Sequence, residues 1–150
     1  MEKTEIEQYI FGSILLLSNK MQIWGDKILP DLTLKQWFLL LLISKIENPN
    51  PTIKEISDFS GTTRQNVKKM LEQLDEKKYV KIKESKSDAR ALNVTLLKKT
   101  FDYFNENEKR AEEVVNQMFS EITDEEMSIT KKTLDKLHIF FDNPIFKENK

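Results

Sequence analysis

Residues 52–76, TIKEISDFSGTTRQNVKKMLEQLDE, contain two short helical patterns with a single glycine between them, and this stretch decides the fold. The first helix is predicted over 53–60 and the second over 63–77, with Gly61 at the tight turn between them. Each pattern begins with a Thr that is followed three residues later by Glu or Gln, a spacing that favours a capping box. Two short helices that meet at a tight turn form a helix-turn-helix.

The same start signal occurs at four places in the chain, each ahead of an apolar periodic stretch. The four pairs are Thr33/Gln36, Thr52/Glu55, Thr62/Gln65 and Thr123/Glu126. They predict helices over 33–47, 53–60, 63–77 and 124–141. A longer helix is predicted over 6–28, where apolar residues recur at spacings of three and four. This helix is apolar around more of its circumference than one face of a monomer needs, which indicates contact with a second chain.

After the helix-turn-helix, the period of the apolar residues changes from helical to alternating. Val80 and Ile82 alternate with lysines, and Leu92 and Val94 alternate with polar residues, as is typical of two short strands. The segment 84–90 between them is polar and has no apolar anchor, so we expect it to form the tip of a hairpin. A helix-turn-helix followed by a β-hairpin is a winged helix.

The whole chain, residues 1–150, is expected to form a single unit of the mainly α class, an α+β winged helix flanked by helices. The winged helix-turn-helix is predicted at 33–96, and the segments 1–30 and 100–150 are predicted to form dimerisation helices. Each interface candidate singly fits the intrachain core equally well. The candidates are Ile6, Ile10, Leu17, Met118, Ile122, Leu137, Phe140 and Phe141.

Composition excludes several classes of protein. The chain has no cysteine, which excludes a disulfide framework, thiolate zinc sites and thiol chemistry. Its three glycines are too few for a glycine-rich nucleotide cradle. The longest strictly apolar run, 37–43, is far shorter than the roughly 20 residues of a membrane-spanning helix. The N-terminus has no basic segment ahead of an apolar stretch, so we expect no secretory signal, no membrane partner and a cytoplasmic location.

The net charge of −1 conceals a strong asymmetry along the chain. Residues 52–99 carry 12 basic and 7 acidic side chains, whereas residues 100–150 carry 7 basic and 12 acidic ones. A basic block on an otherwise neutral to acidic chain is the electrostatic footprint of a polyanion partner. A lysine-rich face that is merely solvated explains the charge equally well, and the order of the elements has to decide between the two.

The sequence resembles the MarR (multiple antibiotic resistance) family of bacterial transcriptional regulators. The matching stretches are LTLKQW at 32–37, the helix-turn-helix at 53–74, the connection at 74–80 and DARALNV at 88–94. Four positions depart from the family pattern. Lys78 and Ala89 stand where the family has Gly and Arg, and Leu97 and Thr100 stand where it has Thr and Gly.

The second helix of the motif carries the side-chain types that read DNA. Gln65 and Asn66 suit adenine edges, and Arg64 suits guanine or phosphate. Lysines at the same surface are expected to contact phosphates. In the alternative interpretation, Thr62 and Gln65 only cap the helix and the lysines are solvated. The DNA-binding candidates are Thr62, Thr63, Arg64, Gln65, Asn66, Lys68, Lys69, Lys81, Lys83, Lys86, Asp88 and Arg90.

The resemblance implies further roles. It implies that Arg90 of the wing enters the minor groove of double-stranded DNA and that Asp88 holds it in place. It also implies a homodimer on a palindromic operator, most often as a repressor, with release by a small aromatic anion. The wall residues suggested for that effector are Met21, Trp24, Trp37 and Phe38. Aromatic residues at helical spacing are otherwise core residues.

Three function classes compete at this point. The first is a sequence-specific dimeric transcriptional regulator, and the second is a winged-helix module that binds a protein instead of DNA. The third, an enzyme, has little support, because no catalytic set of residues or phosphate loop stands out. We therefore expect no catalytic residues, no cofactor and no metal, since the single His138 cannot form a zinc site alone.

Overall fold

The structure, a computed structural model, describes residues 2–88 and 90–143. These residues form six helices and two strands in the order expected of a mainly α winged helix, so the predicted fold class is confirmed. The elements are α1 Lys3–Ile28, α2 Leu34–Ile43, α3 Ile53–Ser60, α4 Arg64–Glu76, β1 Val80–Glu84, β2 Leu92–Leu96, α5 Lys98–Met118 and α6 Asp124–Asp142.

Side-chain caps begin most of these helices where the sequence predicts them. Thr33, Thr52 and Thr123 each form the predicted capping box with the Gln or Glu three residues later. The prediction of a fourth box at Thr62 and Gln65 is wrong. Gly61 ends α3 in the left-handed region (φ 68°), and the extended cap conformation then falls on Thr63. The Thr63 hydroxyl accepts a hydrogen bond from the Asn66 amide (3.2 Å), so α4 starts one residue later.

Two further helix boundaries differ from the prediction, by three and four residues. Helix α1 begins at Lys3, because Glu2 and Glu5 form a capping box that the apolar pattern does not reveal. Helix α2 ends at Ile43 instead of residue 47. The Lys45 and Ile46 amides bond to the carbonyls three residues earlier, which tightens the chain into a turn ahead of Pro49.

The hydrophobic core lies inside the winged helix. Leu40 of α2, Ile56 of α3, and Val67 and Leu71 of α4 are at most 1% exposed. Val80 and Val94, one from each strand, complete the same cluster. Spacings of three and four place these α4 residues on one face, so burying them leaves the opposite face of the helix in solvent.

The hairpin is fastened to the chain segment that precedes α3. Strands β1 and β2 are antiparallel, with Val80 opposite Leu96 and Glu84 opposite Leu92. The Asn50 carbonyl accepts a hydrogen bond from the Asn93 side-chain amide, and the Asn50 side chain accepts one from the Thr95 hydroxyl. These contacts fix the base of the wing relative to the helix-turn-helix.

The chain divides into two compact units within α5. The first, Met1–Asn105, contains α1, the winged helix and the start of α5. The second begins at Glu106 and contains the remainder of α5 together with α6. The predicted dimerisation segments 1–30 and 100–150 each extend past the described structure, since Met1 and residues 144–150 lie outside the described residues.

Candidate nucleic-acid interface

Helix α4 separates its core face from a polar face that is exposed at its N-terminal end. Val67, Leu71 and Leu74 are buried, whereas the polar residues between them lie in solvent. Thr62 is half-buried just before the helix. The exposed candidates on this face are Thr63, Arg64, Gln65, Asn66, Lys68 and Lys69.

The first turn of α4 suits an anionic ligand. Its amides point toward the N-terminal end, where the helix dipole favours negative charge. Arg64 lies in this turn and Lys69 follows one turn later, and neither makes an ion pair with any described residue. Lys68 forms an ion pair with Glu72 at 3.8 Å. Both side chains are more than half exposed, so this ion pair is weak and another anion can replace Glu72 as the partner of Lys68.

The wing is shaped by the Asp88 side chain. The Asp88 carboxylate accepts a hydrogen bond from the Arg90 backbone amide (2.9 Å), and the Asp88 carbonyl accepts one from the Ala91 amide (2.9 Å). No ion pair joins the Asp88 carboxylate to the Arg90 guanidinium within the described part of the chain. Asp88 therefore orders the turn through the backbone, and the exposed Arg90 side chain extends into solvent. Ala89, which departs from the family pattern, lies outside the described residues.

The wing lysines differ in their surroundings. Lys81, Lys83 and Lys86 are all exposed, the first two on β1 and the third at the tip. Lys81 lies 3.9 Å from the Asp75 carboxylate, which partly neutralises it. Lys83 and Lys86 make no ion pair with a described residue. The wing therefore presents its free positive charge toward its tip.

A groove of about 480 Å³ lies between α2 and α4. Its lining is mainly apolar and includes two basic residues, Lys35 and Lys69. The Gln36 side-chain amide donates to the Gln73 side-chain carbonyl (2.9 Å), which joins the two helices here. The lining residues are Lys35, Phe38, Leu39, Leu42, Ser60, Thr62, Asn66, Lys69, Met70 and Gln73.

The groove brings together residues that the sequence assigned to different roles. Thr62, Asn66 and Lys69 are DNA-binding candidates, and Phe38 is a suggested effector-wall residue. Lys35 is a lining residue that sequence reasoning missed. It precedes Phe38 by three residues on α2, and that helical spacing is the signal that could have identified it.

The other three suggested effector-wall residues do not line this groove. Met21 and Trp24 are exposed on α1, at 44% and 41%. Trp37 is partly buried against the winged-helix core.

The dimer-interface candidates lie on exposed surfaces of their own elements. Helix α1 buries only Gly25, and α6 buries none of its described residues. Leu137 is half-buried. The exposed candidates are Ile6, Ile10, Leu17, Met118, Ile122, Phe140 and Phe141.

The described residues contain no group of three or more His, Asp or Glu side chains that could hold a metal ion. Over the same residues, no helix is long and apolar enough to cross a membrane. His138 is exposed on α6. Among the described residues, the N-terminal part of α4 and the wing together carry exposed cations that make no ion pair with a described residue: Arg64, Lys69, Lys83, Lys86 and Arg90.

Comparison with known proteins shows a family match over the winged helix. Residues 31–91 match the family model described as MarR family. This range spans α2, the helix-turn-helix and the wing through Ala91. No curated protein matches the sequence.

Solved structures, MarR family transcriptional regulators among them, share the fold over most of the chain. A MarR/EmrR family transcriptional regulator from Acinetobacter sp. ADP1 is 21% identical with a TM-score of 0.78, covering 91% of this chain and 97% of that one. Sco3205 from Streptomyces coelicolor, solved in complex with DNA, is 14% identical with a TM-score of 0.80, covering 95% and 91%. MepR from S. aureus, also solved with DNA, is 22% identical with a TM-score of 0.74, covering 87% and 94%.

Proposed function

We propose that this chain, which matches the MarR family model over residues 31–91, is a sequence-specific DNA-binding transcriptional regulator with α4 as its recognition helix. A major groove admits one α-helix, whose N-terminal residues then contact the base edges. Similar structures in complex with DNA support the same partner. The regulator would act in the bacterial cytoplasm, where its operators are accessible.

The observation that carries the proposal is the polar first half of α4. Gln65 and Asn66 are exposed beside Arg64, while the opposite face of the helix is anchored in the core by Val67 and Leu71. Forked donors and acceptors are thereby held rigidly at the end of the helix that would enter the groove. The basic side chains near them would supply phosphate contacts, which position the protein without specifying sequence.

The wing would add a second contact. Arg90 is exposed next to a turn that Asp88 holds through the Arg90 backbone amide. A guanidinium group on a narrow projection suits the negative potential of a narrow, A-tract minor groove. In this assignment Asp88 is a positioning residue and Arg90 is the contacting residue.

The active species would be a homodimer that represses transcription from a palindromic operator. Two recognition helices that contact successive major grooves require a two-fold arrangement, with half-sites one helical turn apart. The exposed apolar faces of α1 and α6 support this assembly, because a monomer would leave them in water.

A small aromatic anion would release the regulator from DNA. The groove between α2 and α4 supports this role, since Phe38 and Met70 offer apolar contact and the Lys35 and Lys69 ammonium groups offer charge. Its occupant would compete with DNA for Lys69. Titration with a phenolic acid should lower DNA affinity and raise the melting temperature of the wild type more than of Phe38→Ala. Neither quantity changing would contradict this part of the proposal.

Selection from a pool of random duplex DNA at two salt concentrations tests the proposed function. We expect an inverted repeat whose half-site centres are about one helical turn apart. Affinity should fall steeply with salt, with a slope of about 0.9 per neutralised phosphate. Recovery of no motif at either salt concentration would contradict sequence-specific regulation. It would favour the winged-helix module that binds a protein.

A further inference from the structure

The turn between α1 and α2 contains a strained aspartate. Asp31 adopts φ 62°, in the left-handed region that side chains other than glycine rarely enter. Aspartate is one of the few residues other than glycine that enter this region, because its short polar side chain can form hydrogen bonds nearby. The contacts of the Asp31 side chain show what the turn holds together.

Three side chains from distant parts of the sequence contact the Asp31 carboxylate. The Tyr79 hydroxyl donates to it at 2.7 Å, and the Lys99 ammonium group donates at 3.3 Å. The Lys77 ammonium group lies 3.7 Å from its other oxygen and also donates to the Asp31 carbonyl. The Tyr79 hydrogen bond, followed by the two lysines, lowers the pKa of Asp31 below its ordinary value, so the carboxylate is the stable form.

These partners belong to the end of the recognition helix and to the elements that follow it. Lys77 is the C-cap of α4, and Tyr79, 1% exposed, immediately precedes β1. Lys99 in the first turn of α5 lies 4.2 Å from the Tyr79 ring centroid and donates to the Lys77 carbonyl. The Tyr103 hydroxyl of α5 donates to the Pro30 carbonyl (2.9 Å), so a second residue of the turn is fastened to α5.

Helix α1 is held just as closely on the other side of the turn. A Cβ atom at Gly25 would lie 2.8 Å from the Leu34 side chain, so the last turns of α1 pass directly against the start of α2. The Asp26 carboxylate accepts a hydrogen bond from the Leu34 amide (2.7 Å). The direction in which α1 leaves the winged helix is thus fixed by contacts at both ends of the turn.

We propose that Asp31 is a positioning residue that sets the operator spacing accepted by the dimer, because it fixes α1 relative to α4. The inference rests on the proposed function, in which α1 contributes to the dimer interface and α4 reads the half-site. The separation of the two recognition helices must match one turn of DNA. A change in the angle between α1 and α4 within each protomer alters that separation without touching any base-reading side chain.

The test uses the full-length protein and duplexes that carry the half-sites selected by the wild type, with spacers shortened or lengthened by one and two base pairs. Asp31→Gly removes the carboxylate and tolerates the positive φ, and Tyr79→Phe removes the hydroxyl that donates to that carboxylate. Asp102→Asn is the matched control, since its carboxylate pairs with Lys98 on the same helix and lies outside the network.

We expect Asp31→Gly to reduce the preference for the wild-type spacer over its neighbours by on the order of tenfold, in line with the loss of bonds to a charged group. Tyr79→Phe should reduce it less, and Asp102→Asn should leave it unchanged. Base preference within each half-site should stay that of the wild type in all three variants. That combination distinguishes a positioning role from a general loss of stability.

A wild-type spacer profile in folded Asp31→Gly would overturn the proposal. If Asp31→Gly does not fold, a wild-type profile in Tyr79→Phe has the same consequence. A loss of half-site preference together with spacer preference would also count against it, because Asp31 would then act on base reading. Failure of the wild type to select any inverted repeat would instead overturn the proposed function, and this inference with it.

Discussion

The winged helix buries apolar side chains, whereas the outer helices α1 and α6 expose theirs. In the winged helix, Leu40, Val67 and Leu71 are completely buried. In α1, Phe11 is 66% exposed, and in α6, Ile139 is 72% exposed. Apolar residues at helical spacing therefore build a finished core in one region and an uncovered surface in the other. Spacing predicts the helix in both cases, but it does not reveal whether the apolar face is covered within the same chain.

The largest effect is expected in the winged-helix core. Leu71→Ala should lower the free energy of unfolding by about 2–5 kcal/mol, because the substitution removes buried contacts and leaves a cavity. Phe59→Ala is the control, since Phe59 is 52% exposed on α3 and should change stability by only about 0.5 kcal/mol. Urea unfolding followed by circular dichroism measures both. Equal losses in the two variants would remove the contrast between buried and exposed positions.

A substitution in α1 should act on assembly more than on the fold of each protomer. Leu17 is 55% exposed, and Leu17→Glu would place a charge in the proposed interface. The wild-type unfolding midpoint should rise with protein concentration, as it does for any folded dimer in equilibrium with unfolded chains. The variant should sediment as a monomer at concentrations where the wild type is dimeric. An unchanged sedimentation profile would exclude Leu17 from the interface.

The start of α4 allows a smaller and sharper comparison between adjacent threonines. Thr63→Ala should lower the free energy of unfolding by about 1 kcal/mol, since the Thr63 hydroxyl caps α4 by accepting a hydrogen bond from the Asn66 backbone amide. Thr62→Ala should cost less, because Thr62 is not the N-cap. Chemical unfolding of both variants distinguishes them. A larger loss of unfolding free energy in Thr62→Ala than in Thr63→Ala would instead support the helix start predicted from the Thr62/Gln65 spacing.

The smallest effect is expected in the pH dependence of stability, through Asp31 in the turn between α1 and α2. The pKa of Asp31 is lowered in the folded protein, mainly by the Tyr79 hydrogen bond and then by Lys99 and Lys77. Its stabilising contribution is therefore present above the ordinary pKa of 3.8 and is lost as pH falls through the lowered value. The stability difference between the wild type and Asp31→Asn should shrink as pH falls from 7 toward 3. A stability difference that grows as pH falls over this range would contradict a lowered pKa of Asp31 in the folded protein.

Local chemistry accounts for the features that the sequence predicts well. The Thr33, Thr52 and Thr123 boxes form within four residues, and the alternation around Val80 and Val94 needs only its nearest neighbours. These signals locate the helix-turn-helix and the wing to within a residue or two. The core face of α4 follows from its spacing for the same reason.

Features that depend on distant partners could not be predicted. The turn geometry at Gly61, not the Thr62 spacing, decides where α4 begins. The Asp31 network joins residues 46 to 68 positions apart, and the α2–α4 groove depends on a Gln36–Gln73 bond across 37 positions. No periodicity or capping signal encodes such contacts, since they exist only after the core has brought the elements together.

The most direct test of the central claim, that the exposed N-terminal face of α4 reads base edges, is a binding comparison across a panel of single base-pair substitutions in the selected operator. Gln65→Ala should lose about 1–3 kcal/mol of discrimination at one position of each half-site and keep the wild-type preference elsewhere. Lys68→Ala, the control on the same helix, should weaken binding uniformly and reduce the salt slope by about 0.9. Wild-type discrimination at every position in Gln65→Ala would contradict the claim.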